Sequence, residues 1–300
     1  MTAISKKVVL VTGGNSGLGF HACLHIAKQA NHHLILTGRD AQRVHDAAEK
    51  VRAVAAASTI VEEGVLDLGN LTTIQAYCKQ LTSRSDVPEI STLLCNGALQ
   101  LPRKETTHDG LEITFGVNHL GHFLLATLLR ERTRRIVIIS SEVHDPAERA
   151  PVPHPNVSDL EKLAFGYEPF NGGEAYSTSK LCNLLFMFEW IRRFPTSAEV
   201  IAFAPGFTPD TALAREMALD VDAAIAICKA HGVYVGTSEV TGAFMGRLAT
   251  ENWSENGWAS GQYIRVHEVY EPSAQAKDPK LAAALWEKSA ELIERLTSAK

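Results

Sequence analysis

The chain has 300 residues, and its 45% hydrophobic content is sufficient for one large core, so we expect a single domain over residues 1–300. Lys and Arg number 29 against 34 Asp and Glu, which gives a formal net charge of -5 without a basic block, so nucleic acid is not an expected partner. The five cysteines are scattered without a CxxC pair, which argues against a disulfide framework and against structural zinc.

The apolar patterning of the chain predicts a soluble, cytoplasmic protein. A β-rich run begins at Lys7, which leaves no room for a secretion signal. The longest apolar stretches are broken by charge or glycine well before the ~20 residues that a membrane span needs, so no membrane span is expected. His21 and His25 lie one helical turn apart, but no third ligand accompanies them, so no metal is expected.

Short β-rich runs alternate with longer amphipathic runs, which is the pattern of a parallel sheet covered by helices. The seven predicted strands are residues 7–11, 33–37, 59–66, 92–95, 135–140, 199–204 and 262–266. The predicted helices lie near residues 17–29, 41–54, 71–83, 111–130, 175–194 and 233–250. This pattern predicts an α/β fold of the Rossmann type, a doubly wound parallel sheet of seven strands with helices on both faces.

Two connections, residues 142–174 and 206–232, are too long for simple alternation and are expected to be lids or binding loops. The first holds five prolines, so much of it is expected to be extended and irregular, whereas a helical pattern is present in the other at residues 211–219 and 223–230. Apolar side chains in the connection 206–232 favour an apolar or aromatic substrate, with internal packing as their alternative role. These side chains are Phe207, Leu213, Met217, Leu219, Ile225 and Ile227.

A glycine-rich turn at residues 12–19 directly follows the first predicted strand, and a run with helical period follows the turn. Glycines let the chain turn sharply, approach a pyrophosphate closely and aim the free N–H groups of a helix at that anion. An ordinary loop is the alternative, but the placement between strand and helix favours a dinucleotide site. The residues expected to contact the cofactor here are Gly13, Asn15, Ser16, Gly17, Leu18 and Gly19.

Cofactor selectivity is predicted from the end of the second strand. A carboxylate there binds the ribose hydroxyls of NAD, whereas a guanidinium suits the 2′-phosphate of NADP. This chain has Gly38 and then Arg39, so NADP(H) is expected, with a solvated surface arginine as the alternative. Asp40 is expected to cap the next helix. Asp67, after the third strand, is expected either to accept from the adenine amino group or to cap a helix.

A predicted helix opens at residues 174–180 and carries Tyr176 and Lys180 at positions i and i+4, on one face. A free phenol has a pKa of about 10, too high for efficient proton transfer near neutral pH, and a neighbouring cation such as Lys180 lowers it. This spacing also occurs by chance on surfaces. However, the buried strand at residues 135–140 leads into Ser140 and Ser141, whose hydroxyls are able to hold a substrate oxygen.

These motifs follow one order along nearly the whole chain, and together they resemble the short-chain dehydrogenase/reductase family. Residues 12–19 resemble the family's T-G-x-x-x-G-x-G turn, and Asn118 resembles the helix asparagine that anchors a water relay. The resemblance implies that Ser141 holds the substrate oxygen, because the family's serine is the second of such a pair. It implies that Tyr176 gives or takes the proton and that Lys180 lowers the phenol pKa and binds the nicotinamide ribose.

The resemblance also implies further contacts with NADP(H), outside the glycine-rich turn and the catalytic helix. Asp67 resembles the family's adenine-contacting aspartate, and residues 205–206 resemble the turn beside the nicotinamide. The full set of these implied contacts is Asp67, Leu68, Asn96, Gly97, Pro205, Gly206 and Thr208.

Within the family, residues 117–125 are similar to retinol dehydrogenases and protochlorophyllide reductases. Phe207 stands where the latter carry a cysteine after Pro-Gly, so light-driven chemistry is not expected. The implied activity is hydride transfer between NADP(H) and a carbonyl or alcohol. Two alternatives remain open, a carbon–carbon double-bond reductase of the protochlorophyllide reductase type and a non-catalytic NADP(H) sensor that binds a protein partner. The oligomeric state is not fixed, and a homo-oligomer is among the alternatives.

Overall fold

The structure is a computed structural model that describes residues 6–147, 153–211, 213 and 220–298. Within them, eight strands form one sheet. The strands are β1 (Lys7–Val11), β2 (His32–Gly38), β3 (Ile60–Val65), β4 (Thr92–Cys95), β5 (Arg135–Ile139), β6 (Glu199–Ala204), β7 (Tyr263–Arg265) and β8 (Glu268–Tyr270). Their order across the sheet is β3-β2-β1-β4-β5-β6-β7-β8.

Every neighbouring pair of strands is parallel except β7 and β8, which are antiparallel. The chain order reverses at β1, which pairs with both β2 and β4, so the predicted doubly wound sheet is confirmed. The predicted count of seven strands was wrong by one. The additional strand, β8, has three exposed residues, too few for an alternating pattern to be read from the sequence.

Helices cover both faces of the sheet, as predicted. They are α1 (Gly17–Ala27), α2 (Ala41–Arg52), α3 (Leu71–Ser83), α4 (Ile113–Phe115), α5 (Gly121–Leu128), α6 (Leu160–Phe165), α7 (Gly172–Arg193), α8 (Val221–Ala230), α9 (Ser238–Thr250) and α10 (Pro279–Ser298). A π-helical segment, Gly116–Leu120, joins α4 to α5. None of the described helices is both long enough and apolar enough to cross a bilayer.

Alternate residues of β1 belong to two separate cores. Val8 and Leu10 pack with side chains of α3, α5, α7 and α10, whereas Val9 and Val11 pack with side chains of α1, α2 and α9. All four of these β1 side chains are at most 3% exposed. Both faces of the central strand are therefore buried, as expected for a parallel sheet, and the carboxyl ends of the strands remain as the edge where a ligand binds.

Local capping explains several element boundaries. Asp40 caps α2 by accepting from the N–H of Arg43 at 2.9 Å, as predicted. Asn70 caps α3 through the N–H of Thr73, so the alternative role of Asp67 as a helix cap was wrong. The helix predicted from residue 233 begins only at Ser238, because the preceding segment pairs with the chain after β6.

Both long connections contain short helical elements. Residues 142–174 contain a 3-10 turn (Glu142–His144) and the short helix α6, so this connection is not irregular throughout. The helix predicted at residues 223–230 is confirmed as α8. The helix predicted at residues 211–219 lies largely outside the described residues, as do Met217 and Leu219.

Candidate active site

The glycine-rich turn is tied to the end of β4 by Thr12 and Asn96. The Thr12 hydroxyl accepts from the N–H groups of Asn96 and Gly97, both at 2.9 Å. The Asn96 side-chain amide donates to the carbonyls of Thr12 at 2.9 Å and of Gly13 at 3.2 Å. These bonds join the turn after β1 to the predicted cofactor residues Asn96 and Gly97 after β4. β1 and β4 are neighbours at the point where the strand order reverses.

The glycines of the turn are required either by their backbone conformation or by the lack of room for a side chain. Gly13 and Gly17 have φ angles of +63° and +54°, which other residues rarely adopt. A Cβ at Gly19 would lie 2.4 Å from the carbonyl oxygen of Gly13, and a Cβ at Gly97 would lie 2.8 Å from Leu68. The first N–H groups of α1 thus border a cradle whose floor is backbone, and these residues fit the pyrophosphate of a dinucleotide.

The end of β2 brings Gly38 against the glycine-rich turn. A Cβ at Gly38 would lie 2.4 Å from the side-chain oxygen of Asn15, and the N–H of Gly14 donates to the carbonyl of Thr37 at 2.9 Å. Arg39 is an exposed residue directly after Gly38, and the carboxylate of the adjacent Asp40 is engaged with the start of α2.

The two serines after β5 differ in their surroundings. Ser140 is buried, and its hydroxyl donates to the carbonyl of Lys180 at 2.9 Å, which ties β5 to α7. Ser141 is half-buried, and within the part of the chain that the structure describes its hydroxyl accepts one long bond, 3.5 Å, from the N–H of Val143. Of the pair, Ser141 has the hydroxyl with capacity for a substrate oxygen, which agrees with its selection from the sequence.

Tyr176 and Lys180 lie near the start of α7, whose first turn is capped by Asn171. The Lys180 side chain is 2% exposed. Its ammonium nitrogen donates to the carbonyl of Ile139 at 3.2 Å and lies 5.2 Å from the centroid of the Tyr176 ring. The predicted i and i+4 pair is thus assembled, and Lys180 anchors it to the end of β5.

Burial dominates the protonation of this pair. Burial raises the pKa of Tyr176 above its usual value, and the negative charge of Glu142 adds to that effect. Burial lowers the pKa of Lys180 to about 7. The sequence-based expectation was a lowered phenol pKa, and the direction here is opposite because removal from water favours the neutral form of both groups. Near neutral pH the pair holds a protonated phenol beside an amine that gains and loses its proton easily.

Asn118 lies in the π-helical segment and bonds to two elements. Its amide nitrogen donates to the carbonyl of Leu99 at 2.9 Å and to the hydroxyl of Ser179 at 3.1 Å. Its oxygen accepts from the N–H of Leu99 at 2.9 Å. These bonds occupy the side chain of Asn118, and none of them goes to Lys180. The predicted relay between Asn118 and Lys180 therefore requires intervening water.

His122 connects the cofactor turn to the π-helical segment, a link that sequence reasoning missed. Its Nε2 lies 2.8 Å from the Thr12 hydroxyl, and its Nδ1 lies 3.2 Å from the carbonyl of Asn118. Burial lowers the pKa of His122 to about 4, so the ring is neutral near pH 7. The only signal in the sequence was its spacing of four from Asn118, and that spacing is equally typical of ordinary helix packing.

The remaining predicted cofactor residues surround the same edge of the sheet. Asp67 accepts from the N–H of Gly69 at 2.8 Å, and Leu68 is buried against Gly97. Gly206 has a φ of +76°, and the following residue, Phe207, pairs with Val235 in a short parallel bridge. Thr208 is 8% exposed. Among the described residues, no group of three His, Cys, Asp or Glu side chains is arranged to hold a metal.

Comparison with known proteins gives the family. Residues 7–149 match the model of the short chain dehydrogenase family. Protochlorophyllide reductase from Avena sativa is 32% identical over 319 residues, which cover 95% of this chain and 99% of the relative. An uncharacterized protein of solved structure from Mycobacterium Paratuberculosis is 26% identical, with a TM-score of 0.74 over 97% of this chain and 94% of that chain.

An angucycline C-6 ketoreductase solved with bound NADP has a TM-score of 0.65 over 87% of this chain and 93% of its own. At 17% identity, this structural similarity shows a shared fold and nothing more. The similarity to the Avena sativa enzyme over nearly the full length of both chains carries the assignment. The chain belongs to the short-chain dehydrogenase/reductase family of oxidoreductases, in the branch that contains the protochlorophyllide reductases.

Proposed function

We propose that this chain is an NADP(H)-dependent oxidoreductase that acts on a carbonyl or alcohol group of an apolar or aromatic substrate. Its catalytic residues are Ser141, Tyr176 and Lys180, supported by Asn118. The observation that carries the proposal is the pair of half-buried Tyr176 and buried Lys180, in which Lys180 bonds to the carbonyl of Ile139, two residues before Ser141. This pair borders the same sheet edge as the backbone cradle of the glycine-rich turn.

NADPH, when bound, supplies the hydride that reduces the carbonyl carbon. In that reaction Tyr176 donates its phenolic proton to the carbonyl oxygen, which Ser141 holds by a hydrogen bond. Lys180 has a pKa of about 7, so it readily returns a proton to the phenolate after each turnover. Alcohol oxidation follows the reverse path, with Tyr176 as the base.

The proposed cofactor site includes the glycine-rich turn and its neighbours. Gly13, Gly17 and Gly19 would leave the backbone free to approach the pyrophosphate, and Asn15 and Arg39 would bind at the end of the adenosine ribose. The exposed guanidinium of Arg39 favours a 2′-phosphate, because Asp40 is engaged with α2. Asp67, Leu68, Asn96, Gly97, Pro205, Gly206 and Thr208 complete the proposed contacts.

The substrate class is proposed from the long connection after β6. Every residue of α8 is half-buried or exposed, and Ile227 is 41% exposed. A helix with accessible apolar side chains beside the carboxyl edge of the sheet is suited to contact an apolar substrate. A panel of apolar and aromatic ketones, followed by NADPH absorbance, tests the proposal. We expect turnover with members of the panel, and absence of turnover with every carbonyl and alcohol tested would contradict the proposal.

The similarity to the Avena sativa protochlorophyllide reductase favours a second candidate, reduction of a carbon–carbon double bond in a conjugated pigment. Phe207 stands where the resemblance leads one to expect a cysteine, so the reaction of this chain is expected to proceed in darkness. Turnover is measured with the ketone panel and with protochlorophyllide, each in light and in the dark. Strictly light-dependent reduction of the pigment would support the second candidate over the first.

A further inference from the structure

Glu142 directly follows Ser141 and is 6% exposed, an unusual environment for a carboxylate. It opens the 3-10 turn Glu142–His144, which leaves the end of β5. Its side-chain oxygen lies 3.7 Å from Nε of Arg265 on β7. The guanidinium of Arg265 in turn stacks over the Tyr270 ring at 4.8 Å. A buried carboxylate adjacent to Ser141 is thus held by a cation from the far side of β6.

His144, at the other end of this turn, is held by two hydrogen bonds. Nδ1 of His144 donates to the carbonyl of Ser141 at 2.7 Å, and Nε2 accepts from the N–H of Ser273 at 3.2 Å. This pattern fixes one neutral tautomer of His144. Two interactions therefore restrain the backbone around Ser141. Glu142, the next residue, pairs with Arg265 on β7, and His144 bonds both to the carbonyl of Ser141 and to Ser273 in the chain after β8.

We propose that Glu142, held by Arg265, is a positioning residue of the active site that fixes the Ser141 turn and keeps one buried negative charge at the end of β5, next to Ser141. Its effect on turnover depends on the proposed function, whereas its charge is measurable without turnover. The titratable or charged groups around Glu142 and Tyr176 come from the turn, α7, α8 and β7. Among the described residues they include His144, Lys180, Cys228 and Arg265.

Two neighbours respond to this charge. Glu142 raises the pKa of Tyr176 in addition to burial, and it raises the pKa of the Cys228 thiol on α8 in the same way. Cys228 is half-buried, whereas the other four cysteines are buried, so it reports selectively on the charge of Glu142. A thiol reacts as its thiolate, so a lower pKa gives faster alkylation near neutral pH.

The test compares Glu142→Gln, which removes the charge, with Glu142→Asp, which keeps it. Asp145→Asn removes a charge three residues away and is the matched control. For Glu142→Gln we expect the phenol of Tyr176 to lose its proton more easily, so the more alkaline of the two limbs of the kcat/KM profile for carbonyl reduction, above that of Lys180, should move to lower pH by roughly half to one unit. We expect alkylation of Cys228 by iodoacetamide, followed by peptide mass spectrometry, to become about 2–5 times faster. Glu142→Asp and Asp145→Asn should leave both readouts close to wild type.

Arg265→Gln provides a further variant should Glu142→Gln not fold, and the loss of its positive charge beside Glu142 should slow Cys228 alkylation. An unchanged Cys228 rate in the folded variants overturns the inference, whether or not the protein turns over a carbonyl. An unchanged alkaline limb in an active Glu142→Gln protein also overturns it. A wild-type protein without turnover contradicts only the proposed function, since the alkylation readout remains.

Discussion

At the scale of single residues, adjacent residues of the chain have different roles. Ser140 and Ser141 are adjacent in sequence, yet Ser140 bonds to the backbone of α7 while Ser141 keeps capacity for another partner. Gly38 and Arg39 are likewise adjacent, yet Gly38 is confined by Asn15 and Arg39 is exposed. In the serine pair, a change at Ser141 therefore tests function, and the same change at Ser140 is its structural control.

Ser141→Ala is expected to lower kcat by about 10²-fold or more, since it removes a donor to the developing oxyanion, and to leave thermal stability close to wild type. Ser140→Ala is expected to reduce the free energy of unfolding by about 1 kcal/mol through the lost bond to the carbonyl of Lys180. Steady-state kinetics and denaturant titration of both variants check this. An equal loss of kcat in both variants would contradict the distinction between the two serines.

Arg39→Ala is expected to weaken NADPH binding about tenfold or more and to leave NADH nearly unchanged, because a charge-assisted hydrogen bond contributes roughly 1.5–3 kcal/mol. Dissociation constants for both cofactors test this, with the neighbouring surface variant Arg43→Ala as a comparison. Equal weakening of NADPH and NADH would show that Arg39 supports the loop instead. Gly38→Asp is a poor test of selectivity, since its Cβ would meet Asn15 at 2.4 Å.

At the scale of elements, the site depends on how the strand ends are connected. The turn after β1, the end of β4 and the π-helical segment before α5 are joined through Thr12, Asn96 and His122. The turn and its glycines were predictable, because the strand–turn–helix pattern is local in sequence. The contact between Thr12 and His122 was not predictable, because it joins residues 110 positions apart.

Gly19→Ala tests the backbone cradle, because its Cβ would lie 2.4 Å from the carbonyl of Gly13. We expect the displaced turn to weaken the binding of NADPH and of NADH by about tenfold or more, because both cofactors carry the pyrophosphate. Gly110→Ala lies in open space and serves as a glycine control, though its φ of +79° carries its own strain. Calorimetric affinities for both cofactors that match wild type would argue against pyrophosphate binding at this turn.

At the scale of the whole molecule, a doubly wound parallel sheet with helices on both faces was predictable from periodicity and glycine placement, whereas most of the site residues outside the glycine-rich turn were assigned through the family resemblance. The short edge strand β8 was not, because three exposed residues carry no period. The protonation of Tyr176 was also not predictable, since the effect of burial depends on packing that the sequence does not reveal. Glu142 appeared in sequence as an ordinary polar loop residue, and only the fold brings Arg265 to it.

The C-terminal helix α10 supports the helix that carries the catalytic pair. Trp286 on α10 is 7% exposed and contacts the rings of Phe123 and Phe186, with centroids 4.7 and 5.8 Å away. Trp286→Ala is expected to lower the free energy of unfolding by about 3–5 kcal/mol, through lost packing and a cavity. Denaturant titration checks this against the exposed-site control Lys280→Ala, and equal stability of the two variants would contradict a structural role for α10.

The central claim is that Tyr176 acts as the general acid of an NADPH-dependent carbonyl reduction. Its most direct test is single-turnover oxidation of bound NADPH, with the ketone identified by the panel, in the wild type and in Tyr176→Phe in darkness. We expect Tyr176→Phe to bind NADPH with nearly unchanged affinity and to react about 10²–10⁴-fold more slowly. Reaction of Tyr176→Phe at the wild-type rate, with the alcohol product formed, would contradict the account.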